Sequence, residues 1–162
     1  MRVAIFHDYL NQFGGAERVL ISLLELFHNA DLYTLLYDDK KTFGIFRKNI
    51  KKTSILDKPL IKNHHRAFIP FMPLAASAMA IDNDYDLVIS STAGYAKGFG
   101  FRNRRGSGYG KTPYHISYCH SPLRYAWEID YLKDLAFSPW PIKEVIVRPI
   151  ARLLRNWDSS SS

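Results

Sequence analysis

The sequence lacks several features that would identify a function at once. Cys119 is its only cysteine, which excludes an intramolecular disulfide and a cysteine-rich metal site. No apolar run reaches the length of a membrane-spanning helix, and the first residues lack the apolar core of a signal peptide. Because a chain with so little cysteine suits a reducing compartment, we expect a cytoplasmic protein.

Common catalytic motifs are also missing. Neither a P-loop nor a G-x-S-x-G turn is present, so a nucleoside triphosphatase and a serine hydrolase lack support. No H-E-x-x-H pair occurs, and the adjacent His64 and His65 cannot share one helix face, so no metal site is predicted. The pair Gly14–Gly15 is not the G-x-G-x-x-G pattern of dinucleotide binding, which disfavours an NAD enzyme.

The chain does contain enough apolar residues for one domain with a substantial core. Of its 162 residues, 47% are hydrophobic and 14% aromatic. Short apolar runs predict strands, and the helical spacing of apolar residues over Ala16–Phe27 predicts a helix. The predicted strands are Arg2–His7, Asp31–Tyr37, Thr53–Leu56, Tyr85–Ser91 and Pro113–Cys119. We therefore predict an α/β fold with a Rossmann-like parallel sheet flanked by helices.

The stretch Arg2–Phe27 combines a strand, a glycine turn and a helix. The first turn of a helix carries unpaired N–H groups and a partial positive charge, so glycines beside it let a phosphate approach the backbone. Gly14 and Gly15 therefore form a candidate anion site. A plain structural turn, in which the glycines adopt positive φ to pack helix against strand, explains the pair equally well.

Polar residues also follow two later strands. Ser90 and Ser91 end one predicted strand and His120 follows another, where ligands collect in open parallel sheets. The serines could instead cap the next helix. His120, taken alone, is as typical of a structural histidine as of a ligand-binding one.

The basic character of the chain is local. From Lys40 to Arg66 there are nine basic residues and one acid, a net of +8, whereas the whole chain carries +7. Such a segment could bind an anionic lipid surface. Nucleic acid is disfavoured because no recognition signature is present. A solvated helix whose apolar side joins the core also stays open. The residues assigned to membrane docking are Arg47, Lys48, Lys51, Lys52, Lys58, Lys62 and Arg66.

Prolines and glycines predict the remaining organisation. Lys40–Asn49 is expected to be a short helix or loop, and Leu60–Ala80 two helical pieces around a joint at Pro70 and Pro73. Phe101–Lys111, rich in glycine and arginine, is expected to be a surface loop.

Three stretches together resemble a known family. Gly14–Val19, Asp86–Ser91 and Tyr118–Glu128 are similar, in order and spacing, to motifs of the N-terminal half of bacterial GT-B glycosyltransferases of family 4, in particular its mannosyltransferase-like members of polysaccharide and O-antigen assembly. The resemblance extends from Met1 to about Asp158, and the glycine motif is its least specific part.

This resemblance implies a function and residue roles. Gly14 and Gly15 would offer N–H groups to the pyrophosphate of a nucleotide-sugar donor, with GDP-mannose favoured, and His120 would contact the transferring sugar. Ser90, Ser91 and Arg124 would lie on the side of a lipid-linked glycan acceptor, although Arg124 could equally hold the local loop together. Transfer would proceed with retention, without a metal or cofactor, on a protein peripheral to the inner face of the plasma membrane.

The sequence departs from this family in one large respect. It covers one Rossmann-like domain at residues 1–158 and a serine tail at 159–162, without the C-terminal domain that carries the E-x7-E motif. We expect little transfer by the chain alone, with the donor domain supplied by a separate partner or by the rest of a longer protein. The alternative is a non-catalytic membrane-surface or interaction module that retains the fold.

Overall fold

The computed structural model of the chain describes residues 1–79, 85–99, 113–128 and 142–160. Within them, the strands are β1 (Val3–Leu10), β2 (Asp31–Tyr37), β3 (Ile50–Thr53), β4 (Leu87–Thr92) and β5 (Tyr114–Cys119). The helices are α1 (Gly15–Leu26), α2 (Pro59–Asn63), α3 (Met72–Ala78), α4 (Arg124–Trp127) and α5 (Ile142–Ser160), with 3₁₀ turns at His65–Phe71 and Ala96–Gly98. The predicted loop Phe101–Lys111 lies outside the described residues.

The described strands form one parallel sheet in the order β3-β2-β1-β4-β5. Strands β1, β2 and β4 are buried along nearly their whole length, as their apolar runs predict. The Rossmann-like α/β fold predicted from the sequence is therefore confirmed. Because the chain adds β2 and β3 on one side of β1 and then returns to add β4 on the other, the strand order reverses between β1 and β4.

Helices cover both faces of this sheet. On one face, Ile5 and Leu32 pack with Leu20 of α1. On the other, Phe6 stacks on Tyr33, with ring centroids 4.8 Å apart, in a cluster that includes residues of α3 and α5. The alternation of side chains along β1 therefore decides that Ile5 and His7 face α1, because residues two apart share one face of a strand.

Helix α5 braces the segment that follows β5. Lys97 pairs with Asp158 at 2.7 Å, and Trp127 Nε1 donates a hydrogen bond of 3.0 Å to the same carboxylate. Arg155 Nε donates to the carbonyl of Ala126 at 2.6 Å. The loop after β4, helix α4 and the end of α5 are thus tied together. Helix α5 continues to Ser160, two residues into the segment 159–162 that was expected to be a serine tail.

The third strand begins and ends three residues earlier than predicted. Thr53–Leu56 was predicted, whereas β3 is Ile50–Thr53. Ser54 ends the strand because its hydroxyl donates to the carbonyl of Leu35 at 2.8 Å and accepts from the N–H of Leu56 at 3.1 Å. A side chain that bonds its own backbone two residues on favours a turn over a strand.

The proline-containing segment is broken, as expected, but into three pieces rather than two. Pro70 lies inside the 3₁₀ turn and Pro73 in the first turn of α3, where a missing N–H costs no intrahelical hydrogen bond. The expected short helix or loop over Lys40–Asn49 consists of successive turns. No described helix is long and apolar enough to cross a membrane.

Candidate functional site

A cavity of about 350 Å³ opens at the carboxyl ends of β1 and β4, where the strand order reverses. Its wall includes the end of β1, the first turn of α1, the loop after β4 and the segment after β5. Its lining includes the polar residues His7, Asp8, Glu17, Tyr95, His120 and Arg124. In open parallel sheets this position is where ligands bind.

Asp8 organises the loop after β4. Its buried carboxylate accepts hydrogen bonds from the backbone N–H groups of Ala93, Tyr95 and Ala96, at 2.6, 2.8 and 2.5 Å. The hydroxyl of Thr92 donates to the same group at 3.2 Å. Since charge-assisted bonds of this kind are stronger than neutral ones, Asp8 fixes the cavity wall opposite α1.

Glu17 likewise accepts a backbone hydrogen bond, at the start of α1. Its Oε2 accepts the N–H of Gly14 at 2.7 Å, and its Oε1 lies 3.8 Å from His7 Nε2. Burial raises the pKa of Glu17, but His7 and the N–H groups of Glu17 and Gly14 lower it, and the net pKa lies below its ordinary value. Glu17 is therefore a buried carboxylate, held charged by its neighbours.

Two histidines meet through Ser91. His7 and Ser91 are register partners on β1 and β4, and their side chains lie 3.1 Å apart, from Nδ1 to Oγ. The same Oγ lies 2.8 Å from Nε2 of His120. The series Glu17, His7, Ser91 and His120 therefore runs from the start of α1 to the segment after β5, which are two of the stretches that carried the resemblance.

His120 is half-buried at the cavity, with the ring of Tyr118 at a centroid distance of 5.0 Å. Burial lowers the pKa of its imidazole and His7 lowers it further, against smaller opposing effects of Asp8 and Glu17. The net pKa lies below the ordinary histidine value, which favours a neutral ring that can accept or donate a hydrogen bond.

Of the predicted glycines, Gly14 caps α1 and Gly15 begins it, whereas the cavity lining from this helix starts at Ala16. Both lack positive φ, since Gly44 is the glycine with that conformation among the described residues. A Cβ added at Gly15 would meet no atom within 4 Å, so neither backbone conformation nor packing requires glycine there. The N–H of Gly14 is already bonded to Glu17, which leaves Gly15 and Ala16 as the first-turn donors without an intrahelical acceptor.

The two predicted serines fall on opposite faces of β4. Ser91 faces α1 and the histidines, whereas Ser90 donates to the carbonyl of Ala96 at 3.0 Å and lies 2.8 Å from His115 Nε2. Arg124 is exposed on α4 and lines the cavity. The structure thus brings Arg124, His120 and the start of α1 to one cavity. The hydroxyl of Ser90 is instead hydrogen-bonded within the fold, on the other face of the sheet.

No residue of the basic segment lines this cavity, and the segment is less charged than its sequence indicates. Arg47 pairs with Asp39, Lys62 with Asp57 at 3.3 Å, and Lys51 approaches Asp31 at 4.0 Å. The hydrogen bonds that Asp39 accepts from Arg47 and Tyr37 lower its pKa to about 2. Within the described ranges, the docking residues without a recorded ion pair are Lys48, Lys52, Lys58 and Arg66.

Sequence reasoning missed His7, Asp8 and Glu17. The available signal was a pair of polar residues inside an apolar strand, since buried charged and polar side chains need partners. That signal names no partner, because Ser91 and Ala93 are more than eighty positions away along the chain.

Among the described residues, no group of three or more histidine, cysteine or acidic side chains is arranged to hold a metal ion. Comparisons with protein-family models, with curated proteins and with solved structures each find no match to this chain. What is established is therefore a Rossmann-like domain with a cavity at its strand-order reversal, lined by polar and apolar residues.

Proposed function

We propose that the chain is the acceptor-side, N-terminal domain of a retaining GT-B glycosyltransferase that moves a sugar, with GDP-mannose as the favoured donor, to a lipid-linked glycan. The observation that carries the proposal is the cavity that places the start of α1, His120 and Arg124 around one space. Those residues come from motifs that are far apart in the sequence and resemble that family.

The donor pyrophosphate would lie at the start of α1. The N–H groups of Gly15 and Ala16 would bind its oxygens, and the helix dipole would stabilise the charge that develops as the nucleoside diphosphate leaves. Open space lies where a Cβ at position 15 would be, so the backbone there has room for close approach of a pyrophosphate.

His120 would orient the transferring sugar by a hydrogen bond to one of its hydroxyl groups. Arg124 would contact the acceptor side, and Ser91 would act through His120. Nucleotide recognition would come from a C-terminal GT-B domain, because the cavity is open on one side. The isolated chain is therefore expected to transfer little sugar.

A reconstituted transfer assay tests this proposal. The chain is mixed with a C-terminal GT-B domain, labelled GDP-mannose or a UDP-sugar, and lipid-linked acceptor, and label in the lipid fraction is measured. His120→Ala should lower transfer by about 100-fold. The matched control is His28→Ala, because His28 is exposed and outside the cavity. Absence of transfer with every donor, or equal transfer by His120→Ala, would contradict the proposal.

A second variant separates the pyrophosphate role from a structural turn. Gly15→Ala adds a methyl group into open space, so the free energy of unfolding should stay constant or rise by about 0.5–1 kcal/mol. Transfer should nevertheless fall, because the methyl group would occupy the space of the pyrophosphate. A destabilised variant, or an intact rate of transfer, would favour the structural explanation.

The second candidate is a non-catalytic module that binds an anionic membrane. Exposed apolar side chains lie within the basic segment or follow it: Ile55, Leu60 and Leu74 are 75%, 68% and 66% exposed. In sedimentation with vesicles, binding should require anionic lipid and weaken with salt. Salt-sensitive binding without any reconstituted transfer would favour this candidate, and equal binding to neutral vesicles would reject charge-based docking.

A further inference from the structure

The hydroxyl of Ser91 lies between two imidazole nitrogens, which constrains their protons. Ser91 Oγ is 3.1 Å from His7 Nδ1 and 2.8 Å from His120 Nε2. A serine hydroxyl has one proton and can donate to only one of them. The other nitrogen must therefore carry a proton and donate to the serine oxygen.

Glu17 determines which of the two imidazole nitrogens accepts the proton of Ser91 and which donates to its oxygen. Its Oε1 is 3.8 Å from His7 Nε2, and both side chains are 3% exposed. A buried carboxylate facing that nitrogen stabilises a proton on it. If His7 carries a single proton, that proton lies on Nε2, and the lone pair of Nδ1 accepts the proton of Ser91. The serine oxygen then accepts from Nε2–H of His120.

We infer that Glu17, His7 and Ser91 are positioning residues that hold His120 as its Nε2–H tautomer and leave Nδ1 as a hydrogen-bond acceptor. The second nitrogen of a histidine is set by the bond that the first one makes. The series also fixes the plane of the ring at the cavity, because Ser91 is fully buried on β4 and cannot follow a moving imidazole.

The tautomer has a consequence that rests on the proposed function. A neutral Nδ1 acceptor would receive a hydrogen bond from a hydroxyl of the bound sugar, whereas an Nδ1–H would require an acceptor there. His120 would therefore accept from a group that can donate, such as a hydroxyl, and would disfavour a group that can only accept, such as a carboxylate. The lowered pKa of His120 fits this role, because a protonated ring would have no lone pair to offer.

The test uses the full chain labelled with ¹⁵N-histidine and two-bond proton–nitrogen correlation spectra at neutral pH. His120 should show one protonated nitrogen, Nε2, and a through-space contact between its proton and Ser91. The spectrum of the unsubstituted protein already tests the inference, whatever the stability of any variant. An Nδ1–H tautomer, or a mixture of tautomers, would overturn it.

Neighbouring serines supply a matched pair of variants. Ser91→Ala should release His120 into a mixture of both tautomers and remove the protected Nε2 proton. Ser90→Ala removes the hydroxyl that bonds His115 on the other face of β4, and should change His115 and leave His120 unchanged. Equal effects of the two variants on His120 would mean that the tautomer is set by general packing, and would overturn the inference.

The outcome is distinguishable from failure of the proposed function, because no sugar, partner domain or turnover enters the spectra. A single Nε2–H tautomer that depends on Ser91 supports the inference even where reconstituted transfer is absent. Transfer sensitive to His120→Ala, together with an unfixed tautomer, would support the function and reject the inference.

Discussion

At the carboxyl ends of β1 and β4 the polar side chains are buried and joined to one another, whereas the basic segment between residues 40 and 66 is largely exposed. Asp8 and Glu17 each have defined partners at the cavity. The basic segment meets acids from outside its own sequence, namely Asp31 and Asp39. A count of charges along a segment therefore overstates the field that the folded surface presents.

The same residue type should have unequal effects in the two regions. Asp8→Ala leaves the N–H groups of Ala93, Tyr95 and Ala96 buried without an acceptor, and should lower the free energy of unfolding by about 3–5 kcal/mol. Asp57→Ala removes an acceptor for Lys62 and for the N–H of Tyr37, and should cost only about 1 kcal/mol. Urea denaturation measures both, and equal losses would remove the distinction between the regions.

Acidification should lower the free energy of unfolding through two residues that line the cavity. The pKa values of His120 and Glu17 are lowered in the folded state, so the unfolded chain binds their protons more readily. As the pH is lowered, the free energy of unfolding therefore decreases, first below the ordinary histidine pKa of 6.5 and again below the ordinary glutamate pKa of 4.5. His120→Gln should flatten the first fall and Glu17→Gln the second in denaturation curves.

A histidine of the basic segment should also contribute to the pH dependence of the free energy of unfolding near neutral pH. Burial, followed by Arg66, lowers the pKa of His65, so His65→Gln should also flatten the profile below about pH 6.5. Comparing the two histidine variants shows which region dominates the acid response. Stabilisation of the unsubstituted protein on acidification would contradict the assignment in both regions.

The smallest expected effect concerns membrane docking. Lys52→Ala removes an exposed cation without a recorded partner and should weaken binding to anionic vesicles about fivefold, or about 1 kcal/mol. Arg47→Ala removes a cation already paired with Asp39 and should weaken binding less. Vesicle sedimentation at low salt compares them. A larger loss for Arg47→Ala would mean that its ion pair opens at the lipid surface.

The positions that sequence reasoning identified were found through local signals. Gly14 and Gly15 separate a strand from a helix, and His120 follows a strand, so both were expected at the carboxyl ends of the sheet. The other members of the site could not be predicted in this way. His7 resembles any polar residue within an apolar run until the register of β1 against β4 places Ser91 beside it.

Ser90 and Ser91 show the same limit. Adjacent in sequence, they point to opposite faces of β4 because side chains alternate along a strand. The sequence marks both as polar residues at a strand end, and only the packing of α1 on one face separates the residue near His120 from the one near His115.

By itself the sequence determined the α/β class, the main strands and the glycine start of α1, because apolar spacing and turn chemistry act between near neighbours. The tertiary structure decided which polar groups meet. His7 and Ser91 are 84 positions apart, and Ser91 and His120 are 29 apart. Their contacts follow from strand order and register, which depend on the burial of the whole sheet and not on any single segment.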